Sequence, residues 1–165
     1  MQTNNLEQAT SMEISLRVNG KKYTADVEPN LLLLDLLRDH LGLTGTKDDG
    51  GSTSGVCTIL LNGVSVKSSF VLAVQADGGD IVTIEGIAKN GQLSVIQEAF
   101  WEKHAVQNGF CTPAMILSSM DLLQKNPNPT ETEIRAWLDG IYSRDTGYQN
   151  VVSAIKYAAE KLQQS

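Results

Sequence analysis

Three of the chain's four Asn-Gly pairs, Asn19-Gly20, Asn62-Gly63 and Asn90-Gly91, constrain this 165-residue chain more than any feature of its composition. An Asn-Gly pair between alternating segments is the preferred two-residue hairpin turn, because both residues tolerate the positive φ it requires. Residues 15–18 and 23–27 alternate around the first pair, residues 57–61 and 64–66 flank the second, and residues 81–84 read as a further strand. Between the hairpins a helix is expected from about Asn30, carrying Leu33, Leu34, Leu36, Leu37 and Leu41, with Gly42 as its stop. The third pair marks a linker.

Beyond the linker the apolar period becomes helical. Ser94-x-x-Gln97 is a capping box opening residues 95–104, and Thr130-x-x-Glu133 is a second one ahead of residues 134–138. Thr112-Pro113 puts proline at the first helical position before residues 115–123. Val151, Val152, Ile155, Ala158, Ala159 and Leu162 share one helical face. Four helices with short connections predict a small bundle. The fold class is α+β, divided into a loosely held N-terminus (1–12), a sheet-bearing domain (13–89) and a helical domain (90–165).

Composition then excludes classes of function. A net charge of −6 leaves no basic surface for phosphates, so nucleic acid is not an expected partner. No apolar run approaches the roughly 18 residues of a membrane span. The polar start MQTNNLEQATS has no signal-peptide core, so a cytoplasmic location and no membrane contact are expected. Cys57 and Cys111 are the two cysteines, too few for a secreted disulfide framework.

Long stretches carry a resemblance: 13–47 (EISLRVNGKKYTADVEPNLLLLDLLRDHLGLTGTK), 56–87, AVQNGFCTPAMIL at 105–117, and 126–148, which ends in SRDTGY. These resemble the small iron–sulfur subunit of the molybdenum hydroxylases, the xanthine dehydrogenase, aldehyde oxidoreductase and carbon monoxide dehydrogenase family. The resemblance implies a plant-ferredoxin-like β-grasp followed by a four-helix bundle, and in the family two [2Fe-2S] clusters. It also implies a large molybdopterin-binding subunit as partner, with a flavin-binding medium subunit as a further candidate.

Against that pattern six of eight cluster cysteines are replaced. If Cys57 matches the third ligand of the first cluster, the others fall at Asp49 or Gly50, Ser54 and Ser69, in a loop one residue shorter than the family's. The second cluster's ligands map to Asn108, Cys111, Ser143 and Asp145. A [2Fe-2S] core is ordinarily held by four thiolates, and a serine hydroxyl is far less acidic than a thiol of pKa about 8.5. The expectation is therefore that this chain binds no cofactor or metal itself, the molybdenum cofactor residing in the partner. Asn108, Ile141, Tyr142 and Asp145 are expected to fill the second cluster's space, and Arg144 to pair with Asp145.

In the family, the segment matching AVQNGFCTP lies beside the pterin. Gln107 and Asn108 are thus the residues expected to touch the partner's molybdopterin, since each amide both donates and accepts. With no active site in the chain, the functional expectation is a structural subunit of a molybdenum enzyme whose reaction exports no electrons, such as a hydratase or hydroxyl transferase. The alternatives are a pterin-shielding subunit of an enzyme that discharges to a soluble acceptor, a true electron-transfer subunit of a molybdenum-dependent oxidoreductase, and a free-standing binding module.

Other candidates read as structural. Cys57 and Cys111 are expected to be buried thiols. His40 and His104 lie near helix C-termini without ligand partners at helical spacing. Trp101 and Trp137 are expected to pack in the core. The glycine-rich stretch 50–55 lacks the Lys-Ser/Thr ending of a phosphate loop and reads as an altered cluster loop.

Overall fold

The computed structural model describes residues 11–51 and 53–164. The expectation of a loose N-terminal segment therefore falls almost wholly outside the described residues. Five strands, β1 (Met12–Val18), β2 (Lys21–Val27), β3 (Thr58–Leu61), β4 (Val64–Lys67) and β5 (Asp80–Val82), form one mixed sheet in the order β2-β1-β5-β3-β4. β1 runs parallel to β5 and antiparallel to β2, while β3 is antiparallel to both β4 and β5. Both hairpin turns have positive φ at their central residues, 51° and 81° at Asn19-Gly20 and 52° and 81° at Asn62-Gly63. The asparagines and glycines thus do there what the sequence requires of them.

Along β1, Ile14, Leu16 and Val18 alternate into a core shared with Ile59 and Ile81. Helix α1 covers that core: it starts at Leu33–Asp35 and widens through Leu36–His40, where the Leu41 amide donates to the Leu36 carbonyl at 3.1 Å. The widened turn lets Leu33, Leu36 and Leu37 all bury at once, and Gly42 follows with φ 69°. The expected strand at 81–84 ends sooner, at Val82. Asn19 Nδ2 donates to Thr83 Oγ1 and Thr83 N donates to Asn19 Oδ1, both at 2.9 Å, so a side chain replaces the sheet ladder there.

The helical half comprises α2 (Val95–Glu102), α3 (Thr112–Lys125), α4 (Glu131–Leu138) and α5 (Gln149–Gln163). Both predicted capping boxes are present, at Ser94/Gln97 and Thr130/Glu133, and Pro113 lies in the first turn of α3. Phe100, Met115, Ile134, Leu138 and Ile155 belong to the core of this half. A small third cluster, Leu60, Ile87 and Leu117, lies where sheet and helices meet. Trp137 packs as expected, its Nε1 donating to the Ser118 carbonyl at 2.9 Å. Trp101 does not: it stands 72% exposed on the outer face of α2, because Ala99 and Phe100 occupy the inward positions of that turn.

A carboxylate joins the two halves. Asp121 on α3, 1% exposed, accepts from Ser65 N at 2.8 Å and Ser65 Oγ at 2.6 Å, and pairs with Lys125 Nζ at 2.8 Å. It thereby occupies a backbone donor of the edge strand β4. Burial alone would raise the Asp121 carboxyl pKa, but the hydrogen bonds from Lys125 and Ser65 outweigh it and hold the group below its ordinary value.

Candidate functional site

The first set of positions falls in the loop after α1, just before β3 and just beyond β4. Asp49 Oδ2 accepts from Ser54 N at 2.7 Å and from Thr53 Oγ1 at 3.3 Å, so this carboxylate closes the loop onto itself. Cys57 precedes β3 and is buried; its Sγ lies 3.0 Å from Ser69 Oγ. Gly50, at φ 73°, is exposed and has no side chain to offer the site. The structure thus joins Asp49 to Ser54 and Cys57 to Ser69. Ser54 Oγ is buried and takes no hydrogen bond among the described residues.

The second set lies between the N-terminus of α3 and the loop entering α5. Asn108 Nδ2 donates to Asp145 Oδ2, and Asn108 Oδ1 accepts from Phe110 N at 2.7 Å. Cys111 is buried, its Sγ donating to the Asn108 carbonyl at 3.6 Å, and that same carbonyl accepts from Thr112 Oγ1 at 2.7 Å. Ser143 is buried with its amide donating to the Tyr148 hydroxyl at 2.7 Å, while Tyr148 donates to the Ile141 carbonyl at 2.9 Å. Gln107 Oε1 accepts from Thr146 Oγ1 at 2.5 Å. Two side-chain bonds, Gln107 with Thr146 and Asn108 with Asp145, therefore tie these loops together.

Two expectations change here. Ile141 is buried, but Tyr142 is 60% exposed and fills nothing, because its amide is drawn to the Ser54 carbonyl at 2.7 Å and its ring turns outward. Asp145 is held by Asn108 rather than by Arg144. Asn108 spends both ends of its amide inside the chain, whereas Gln107 is exposed and uses its Oε1 there.

The two sets adjoin. Besides the Tyr142–Ser54 hydrogen bond, a Cβ placed on Gly55 (φ +71°) would lie 2.0 Å from the Gly140 carbonyl oxygen, so only glycine fits that contact. Lys67 Nζ enters the same junction, donating to Thr58 Oγ1 at 2.6 Å and to the Gly55 carbonyl at 3.3 Å. Burial pushes the Lys67 ammonium pKa down, partly opposed by nearby Cys57. Neither Lys67 nor Asp121 stood out in the sequence, since a lone charge on a short strand or mid-helix has no signature. Gly55 had one, in the glycine-rich stretch.

A family model described as a [2Fe-2S] binding domain matches residues 83–156. The nicotinate dehydrogenase small FeS subunit of Eubacterium barkeri is 44% identical over 149 residues, covering 90% of this chain and 95% of that protein. This chain belongs to the small iron–sulfur subunit family of the molybdenum hydroxylases. Among solved structures, the family's quinoline 2-oxidoreductase from Pseudomonas putida superposes with a TM-score of 0.88 at 39% identity, over 94% of this chain and 98% of that one. The aldehyde oxidoreductase from Desulfovibrio desulfuricans gives a TM-score of 0.87 at 35% identity, over 92% of this chain but 17% of that one.

Membership corrects one expectation outright. That the chain binds no cofactor is overturned by the match to a cluster-binding domain across the second set of positions and by relatives that are FeS subunits; the family points to a bound iron–sulfur cofactor. The donor set still departs from the family's. With Cys57 and Cys111 the two cysteines of the chain, four thiolates cannot converge at either place, and hydroxyl, carboxylate and amide groups stand at the remaining positions. These donors do not fit an ordinary four-thiolate core. Among the described residues no helix is long and apolar enough to cross a membrane.

Proposed function

We propose that this small subunit contributes docking and shielding to a molybdenum-hydroxylase-type complex, and that its partner's reaction is a hydration or hydroxyl transfer needing no net electron export. The observation that carries this reading is the contrast between a retained scaffold and one thiol per ligand set. Electron transfer through a pair of four-thiolate clusters is closed to a chain with two cysteines. In this reading the sheet half (13–89) is a β-grasp domain and the helical half (90–165) a four-helix bundle, in a cytoplasmic assembly. The bundle faces the molybdopterin of the large subunit through Gln107, with Asn108 bracing the loop behind it.

A second reading has its own support. The matched family model is a cluster-binding one, which favours an electron-transfer subunit with mixed oxygen and sulfur ligands. Purification of the complex under anaerobic conditions separates the two. The docking reading expects molybdenum in the preparation, turnover that does not require an electron acceptor, and no flavin subunit. Substrate-driven appearance of a paramagnetic signal from a reduced iron–sulfur cluster overturns it in favour of the second, and obligatory acceptor dependence without that signal overturns the hydration or hydroxyl-transfer part alone.

A further inference from the structure

An apolar crevice of about 800 Å³ lies where sheet, linker and helices meet, floored by Leu60, Ile87, Ile96 and Leu123, with Leu93 and Leu162 at its lip. Both lip residues are large and about half exposed, at 48% and 50%. Lys89 is the single charged residue among its walls, in a chain of net charge −6. Leu162 also belongs to the last turn of α5, next to one of the two ends at which polypeptide can enter or leave this fold.

That position acquires meaning from the relatives. In the Desulfovibrio aldehyde oxidoreductase the matching region makes up 17% of a single longer chain, so there the small-subunit fold is covalently joined to the rest of the enzyme. A junction must begin at one end of the fold, and the crevice adjoins the α5 end. The lining suits an inserted peptide, since peptides are recognised by apolar side chains seated in grooves whose polar groups are few. We infer that this crevice seats a short extended segment of the large subunit, the counterpart of the connecting polypeptide in fused relatives, with apolar side chains against Leu60, Ile87 and Leu123 and an acidic residue against Lys89. The inference rests on the large-subunit partner of the proposed function and specifies where that partner is held.

The test uses the co-purified complex. A photo-crosslinking residue at position 93 is expected to label one short stretch of the molybdenum subunit, and the same residue at position 12, by the opposite end of the fold, is not. Leu93→Glu and Leu162→Glu, at half-exposed positions, are each expected to cut the co-purified molybdenum subunit at least tenfold without lowering the variants' own melting temperatures. Lys89→Glu is expected to cut it several-fold at low salt and less at high salt. Unchanged co-purification by both leucine variants overturns the inference, as does labelling from position 93 that reaches only a second copy of this chain. If the wild-type chain brings down no molybdenum subunit, the parent reading fails as well, a result visible before any variant is made.

Discussion

The two sets of candidate positions are held in different ways. The first is woven into the interior: Cys57 and Ser69 are buried against each other, and the Ser54–Gly55 backbone is pressed onto Gly140 and Tyr142. The second also buries Cys111 and Ser143, but its two loops are held together by side chains, Gln107 to Thr146 and Asn108 to Asp145. A backbone junction tolerates almost no change, because moving it moves two elements at once. A side-chain tie between loops can be lost at the cost of a single bond. The first set should therefore resist substitution as a structural joint, and the second should tolerate it.

Gly55→Ala is the most severe way to break that contrast. The added methyl meets a carbonyl at 2.0 Å in a left-handed conformation, so a loss of about 3 kcal/mol or more is expected. Chemical denaturation measures that loss, and faster exchange of the Tyr142 amide should accompany it.

Asp121→Ala comes next. It removes a buried carboxylate that accepts two bonds from Ser65 and pairs with Lys125, at an expected cost of about 2–4 kcal/mol. The acid limb of stability sharpens this. A carboxyl whose folded pKa is depressed stabilises above its unfolded pKa, and that contribution disappears as pH falls through the lower folded value. Wild type should lose stability below pH 3.8, the group's ordinary pKa, and Asp121→Asn should flatten that part of the curve.

At the second set, Asn108→Ala removes two exposed bonds, to Asp145 and from Phe110 N, and should cost about 1–2 kcal/mol, the low end of the usual ~0.5–1.5 kcal/mol for each. A loss as large as that of Gly55→Ala would erase the distinction between the two sets. Away from both, Thr130→Ala removes a helix cap at a cost of about 1 kcal/mol. Thermal melts rank the two variants.

Much of the architecture was readable from local chemistry. The Asn19-Gly20 and Asn62-Gly63 turns, each capping box and Pro113 act through neighbours within a few residues, so their consequences are fixed wherever the chain folds. Buried Cys57 and Cys111 were also foreseen. The early end of β5, the outward Trp101 and Tyr142, and the Asn108–Asp145 bond were not, because each depends on a partner distant in sequence or on which face of a turn is already occupied. Ligand chemistry pointed away from a bound cofactor and kinship pointed towards one, since retained scaffold and retained donors are separate properties of a chain.

By itself, the sequence determined where the chain turns, where its helices begin, and that no more than two cysteine sulfurs can face iron. Tertiary structure alone decided that Gly55 touches Gly140, that Asp121 binds the edge of the sheet, and that an apolar crevice opens beside the end of α5. Turns and caps are energies of adjacent residues. Junctions and crevices exist only once segments far apart in the chain exclude water from one another.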